Sequence, residues 1–171
     1  MGIKHKIFSF VAGYFSQELS VVAIATLPVF ELRLAIPVAV LRFNMSWQEA
    51  FLLALLGNVL VILPLLLFFK YFFHKLEYVP LVGRAFKWWF ERVERKSQIV
   101  RRWGFWGLVC FVAVPLPGTG AWTCSVAATL IEMQLKKAFF AILLGVIIAG
   151  IIITALSVII PEMFSALLKF V

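Results

Sequence analysis

The chain has 171 residues, of which 64% are hydrophobic and 14% charged, against roughly 45–50% apolar and about 25% charged in a soluble domain. So little charge cannot clothe a soluble surface, which excludes a water-soluble fold and predicts an all-α integral membrane protein with one membrane domain over residues 1–171. Sixteen Lys and Arg against eight acidic residues, all Glu, give a net charge of +8; because the basic residues flank apolar runs, membrane lipids and not nucleic acid are the expected partners.

Lys4 and Lys6 precede the apolar stretch Ile7–Phe15, which resembles the first two regions of a signal peptide without its A-x-A cleavage site, so the segment is expected to be retained. The next apolar region is interrupted. Leu19–Phe30 leads into Glu31-Leu32-Arg33 and then Leu34–Leu41, with Pro28 and Pro37 on either side of the charged tip. This pattern predicts two short helices around a break. Ala50–Phe69 then runs without a charge, and about 20 such residues make a helix about 30 Å long, enough to span. Pro64 lies inside it and kinks it without forbidding it.

Lys70–Arg102 is strongly basic, and the positive-inside rule places this loop on the cytoplasmic side of a prokaryotic inner membrane. Within it Phe86, Trp89, Phe90, Val93, Val100 and Trp103 recur at helical spacings opposite a basic face, the pattern of an interfacial amphipathic helix.

Gly104–Ile131 carries no charge, but Pro115, Pro117, Gly118 and Gly120 fall at its centre. Each half is about 11 residues, about 16 Å as helix, roughly half the hydrocarbon thickness. Two half-helices meeting at a Pro/Gly tip predict a re-entrant hairpin. Irregular backbone at membrane depth must be buried in protein or line a wet cavity, so both tips are expected to face inward. Ala138–Ile160 is the second charge-free span, with Gly145 and Gly150 inside it.

A shift of 88 residues lays Ala50–Gly57 on Ala138–Gly145 with five of eight positions identical, and lays one broken segment on the other. The order of re-entrant hairpin then transmembrane helix therefore occurs twice, about residues 19–69 and 104–160, separated by the basic loop 70–103. One span runs towards the cytoplasm and the other away from it, which makes the repeat inverted, the plan of secondary transporters.

Glu31 and Arg33 are the charged pair lodged within this apolar core, at a cost of about 2.5–3.5 kcal/mol each for insertion at a helix centre. At a helix break they can converge. Burial favours the neutral carboxyl and a neighbouring cation the ionised one, so Glu31 is a candidate proton carrier and Arg33 its counter-charge or a receptor for an anionic group. The competing reading has both side chains snorkel to the outer interface. The facing tip offers backbone N–H groups for an anion, the hydroxyls of Thr119 and Thr123, and Trp122 for stacking; its Pro and Gly residues would serve a plain chain reversal equally well. Asn58 either joins the site or links helices. Cys110 and Cys124 lack metal-ligand spacing and are expected as small core residues; His5 and His74 have no metal-like partners, so no cofactor is expected. Neither a phosphate loop nor a hydrolytic motif is present, which disfavours an enzyme.

Glu31-Leu32-Arg33-Leu34-Ala35-Ile36-Pro37 and Pro115-Leu116-Pro117-Gly118-Thr119-Gly120-Ala121-Trp122 together resemble the small multidrug export protein family, over about residues 25–160. The architecture is similar to that of the DedA and VTT membrane proteins. The resemblance implies a transporter-like fold with Glu31 and Arg33 as its charged motif residues; the acidic and Arg residues that DedA-like proteins carry in the second half are missing from this second tip. Three functions are weighed: proton-coupled export of a small amphipathic compound, flipping of an anionic lipid such as a polyprenyl phosphate, and a non-transporting structural or assembly role. Two spans and two hairpins are thin walls for a pathway, so a homodimer is expected.

Overall fold

The computed structural model describes residues 16–28, 30–76, 100, 102–115 and 119–161, with side chains in the first long helix described as far as residue 71. All regular structure among them is helical. In chain order the helices are α1 (Gln17–Thr26), α2 (Glu31–Leu41), α3 (Trp47–Leu76), α4 (Arg102–Ala113), α5 (Ala121–Leu130) and α6 (Leu135–Ile159). The apolar windows Trp47–Tyr71 and Leu135–Ile159, 25 residues each, are long and apolar enough to cross a membrane. The expected amphipathic segment from Phe86 to Val93 lies outside the described residues; of its pattern, Val100 is fully buried and Trp103 belongs to α4, largely exposed.

Local chemistry sets the helix ends. The Ser16 hydroxyl accepts from the Leu19 N–H and starts α1; the Ser46 hydroxyl accepts from the Glu49 N–H and starts α3 in a Ser-x-x-Glu frame. Left-handed residues follow both α2 and α5. Asn44 and Glu132, 88 positions apart, both take left-handed backbone with φ 53°. Around them the Phe43 and Met133 N–H groups reach back five residues to the Val38 and Ala128 carbonyls, satisfying carbonyls that a helix end leaves open.

The chain forms two compact units, Met1–Leu60 with Ile147–Val171, and Val61–Val146, so α3 and α6 each contribute to both. In the first unit α1 lies against α3 at Gly57, where an added Cβ would stand 2.5 Å from the Val22 carbonyl oxygen and 2.7 Å from the Ala25 Cβ. In the second, α4 lies against α6 at Gly145, where a Cβ would meet the Val112 Cβ at 2.5 Å and the Val109 carbonyl oxygen at 2.9 Å. These glycines are also 88 positions apart, and each faces residues three apart on the short helix. Lipid tails supply little hydrophobic drive for helix pairing, so backbone approach through small residues carries the packing. In the second unit Leu65 and Phe69 of α3 pack with Val126 and Ala127 of α5, and Trp122 and Leu130 lean on the cluster.

The structure revises three sequence expectations. The first break falls between Thr26 and Glu31, ahead of the charged tip, and Glu31 already begins α2. The cause is Pro28, which has no N–H to give the Ile24 carbonyl; the Leu27 N–H takes that oxygen instead, and α1 stops. α3 runs on through Lys70 to Leu76, because a lysine near a helix end carries its charge outwards on its stem. Cys124 is a core residue, but Cys110 is exposed on the outer side of α4.

Candidate functional site

α1 and α2 meet at a break whose open carbonyls are closed by side chains. The Ala25 carbonyl would receive the N–H of residue 29 in a continuing helix; it receives the Nδ2 of Asn58 at 3.3 Å, which also donates to the Ala54 carbonyl of its own helix at 3.3 Å. Asn58 is 1% exposed, so these bonds form where a missing partner is expensive. The Thr26 hydroxyl donates to the Ala23 carbonyl at 2.7 Å.

Directly after the break stands Glu31, 4% exposed and in left-handed backbone with φ 49°. For a residue other than Gly this conformation costs about 1–2 kcal/mol. Arg33 donates from Nη1 to Glu31 Oε2 at 3.5 Å, and the two side chains are 19% and 6% exposed respectively. Protein covers most of both side chains. The contact is also long: a tight charge-assisted bond is about 2.7–2.9 Å. Pro37, buried within α2, sits four residues after Arg33 and so withholds the N–H that an unbroken helix would send to the Arg33 carbonyl. Glu31, Arg33 and Pro37 thus share one short helix, and Asn58 secures the break before it.

The second tip is held by its own hydroxyl. Thr119, 3% exposed, donates from Oγ1 to the Val114 carbonyl at 2.8 Å, closing the end of α4, and Cys124 Sγ–H donates to the Thr119 carbonyl at 3.4 Å. Gly120 is the N-cap of α5, with no side-chain cap. Trp122 packs beside Leu65 and Phe69. Thr123 is 7% exposed and Pro115 half-buried; Pro117 and Gly118 lie outside the described residues. Thr119, Gly120, Trp122 and Pro115 belong to one compact unit, and Glu31, Arg33, Pro37 and Asn58 to the other.

Sequence reasoning passed over the hydroxyls of α6. Thr154 and Ser157 are 8% and 1% exposed, and the signal was available: they are the two hydroxyl residues of a helix that is otherwise apolar after Lys137.

A family model with the description "Putative small multi-drug export protein" matches residues 31–152, from the first residue of α2 into the second half of α6. No curated protein and no solved structure matches the chain.

Proposed function

The chain belongs to the small multi-drug export protein family, and we propose that it is a membrane transporter that couples export of a small amphipathic compound to protonation of Glu31. The observation that carries this reading is the Glu31–Arg33 pair: a buried carboxylate on strained backbone, held by a cation at only 3.5 Å. A proton arriving at Glu31 removes the charge that Arg33 balances. Arg33 is then available to a substrate group, and loss of the proton restores the pair. Strain kept at such a position is a usual companion of function.

In this reading α3 and α6 cross the cytoplasmic membrane while α1–α2 and α4–α5 are re-entrant hairpins, with loop 70–102 on the cytoplasmic side. A hairpin returns to the face it entered from and a single span does not, so a repeat of hairpin plus helix begins its second copy on the opposite face. The recurrence of left-handed Asn44 at Glu132 and of the Gly57 contact at Gly145 supports that inverted repeat. The charged tip occurs in the first copy alone: Glu31 and Asn58 correspond to Thr119 and Val146. Proton transfer is accordingly assigned to the first hairpin, and the second is its neutral counterpart. A homodimer completes the walls of the pathway.

A second reading, flipping of an anionic lipid phosphate, is favoured by one observation. α1 and α3 start with serine caps, whereas α2 and α5, the helices that begin at the breaks, have none, and first-turn N–H groups attract phosphate. Reconstitution into liposomes separates the two. Fluorescent-compound efflux and lipid-carrier flipping are measured with and without a pH gradient for wild type, Glu31→Gln and Arg33→Ala. Proton-coupled export predicts that Glu31→Gln abolishes gradient-driven efflux. Lipid flipping that falls with Arg33→Ala and ignores Glu31→Gln would establish the second reading, and an active protein indifferent to both substitutions would dismiss the site.

A further inference from the structure

We infer that the first compact unit carries a groove for uncharged lipophilic molecules that bear one hydrogen-bonding group, taken up sideways from the lipid. The groove has a volume of about 350 Å³ and runs between Trp47 and Phe51 of α3 and Ile151, Thr154 and Val158 of α6. That volume falls within the range of small-molecule sites, about 300–1,000 Å³, and its make-up, apolar walls with one placed polar group, is theirs too. Its rim side chains Trp47, Ile151 and Val158 are all more than half exposed, so the mouth lies on surface that contacts acyl chains.

The polar group is Thr154. Hydroxyls within membrane helices ordinarily bond back to the carbonyl four residues earlier, and here Ser125, Thr129 and Ser157 do so at 2.7, 2.9 and 2.8 Å. Thr154 does not. It is 8% exposed, and its Oγ1 is fully covered in this rotamer and has no hydrogen-bond partner among the described residues. An unpaired hydroxyl in apolar surroundings is unfavourable. Helical threonine divides between two χ1 rotamers, and a turn from one to the other exchanges methyl and hydroxyl at the groove wall. An acyl chain would fill the groove and leave that hydroxyl unpaired. A cation would give up its hydration with no charged residue in the lining to receive it. A neutral amphipath satisfies both walls and hydroxyl. That such a molecule is loaded for export rests on the function proposed above; the groove itself does not.

The test is photolabelling of the full chain in lipid nanodiscs with a diazirine-bearing fatty alcohol, adducts being mapped by mass spectrometry and competed with 1-naphthol, naphthalene or tetraphenylphosphonium. Adducts are expected to concentrate on Trp47, Val158 and the half-buried Phe51 over Leu60 and Leu63 of α3, which are about as exposed as Trp47 and Val158, and 1-naphthol to compete best. Thr154→Val should shrink the preference for 1-naphthol over naphthalene by about 3- to 10-fold, the worth of one hydrogen bond, and Thr154→Ser should keep it. Even labelling along α3, which means ordinary lipid contact only, overturns the inference, as does equal competition by naphthalene or the cation in wild type. Selective labelling in a protein that exports nothing would sink the export reading and leave the groove standing.

Discussion

Asn58 and Ala25 are joined by a hydrogen bond across 33 positions of chain, from the amide Nδ2 on α3 to the Ala25 carbonyl in the last turn of α1. One side chain thereby closes a backbone group opened by Pro28 and fixes the break from which α2 departs. Asn58→Ala leaves that carbonyl unpaired in an apolar interior and should destabilise the protein by about 1 kcal/mol, the scale of hydrogen bonds within membranes. Chemical unfolding in bicelles measures it. Transport should fall less than in Glu31→Gln, since the carboxylate stays in place.

The glycine contacts predict an order of sensitivity. At Gly57 and Gly145 a Cβ meets backbone oxygen or a Cβ at 2.5 Å, and at Gly150 it meets the ring edge of Phe51 at 2.7 Å. A ring can turn away; a helix backbone must move as a whole. Gly57→Ala and Gly145→Ala should each cost about 1–3 kcal/mol, and Gly150→Ala visibly less, in the same unfolding assay. Equal costs at the three positions would mean that the short helices are not seated on α3 and α6 by these contacts.

The left-handed residues give a prediction of opposite sign. Glu132→Gly relieves a backbone conformation that costs a residue with a Cβ about 1–2 kcal/mol, offset in part by the chain entropy of glycine. A net gain of about 0.5–1 kcal/mol is expected. Asn44→Gly should gain less, because asparagine tolerates this region better. Thermal melts of the purified protein decide the ranking.

These positions also mark how far the sequence could be read. The two long helices were visible because an uncharged run of about 20 residues has few alternatives to spanning. Their true ends were not, since Ser46 and the reach of Lys70 set them and not hydropathy. Charge is conspicuous in an apolar run and points to a break at Glu31–Arg33, yet the backbone obeys the missing N–H of Pro28. Glu132 in left-handed backbone was hidden, as neither Gly nor Asn advertises it. The sequence offers Asn58 as a site residue or a helix link, but its partner, 33 positions away, is a property of packing. Thr154 was missed because a single threonine in a long helix looks like any other until its back-bond proves absent.

The ion pair predicts a coupling energy. Arg33→Ala leaves a buried carboxylate without its cation at 3.5 Å, and Glu31→Gln leaves the converse. In a double-mutant cycle on stability, the two changes together should cost less than their sum by about 1–2 kcal/mol, within the range for residues in direct contact. Strict additivity would mean that the two side chains do not act as a pair.

The most direct measurement of the central claim is proton flux itself. Liposomes containing the protein and a trapped pH-sensitive dye are given an outward gradient of ethidium or of Nile red, in parallel, with no imposed pH difference. If Glu31 carries the proton, wild type moves protons as the compound moves, whereas Glu31→Gln, folded to the same yield, moves none above protein-free vesicles. Proton movement at the wild-type rate in Glu31→Gln would contradict the assignment.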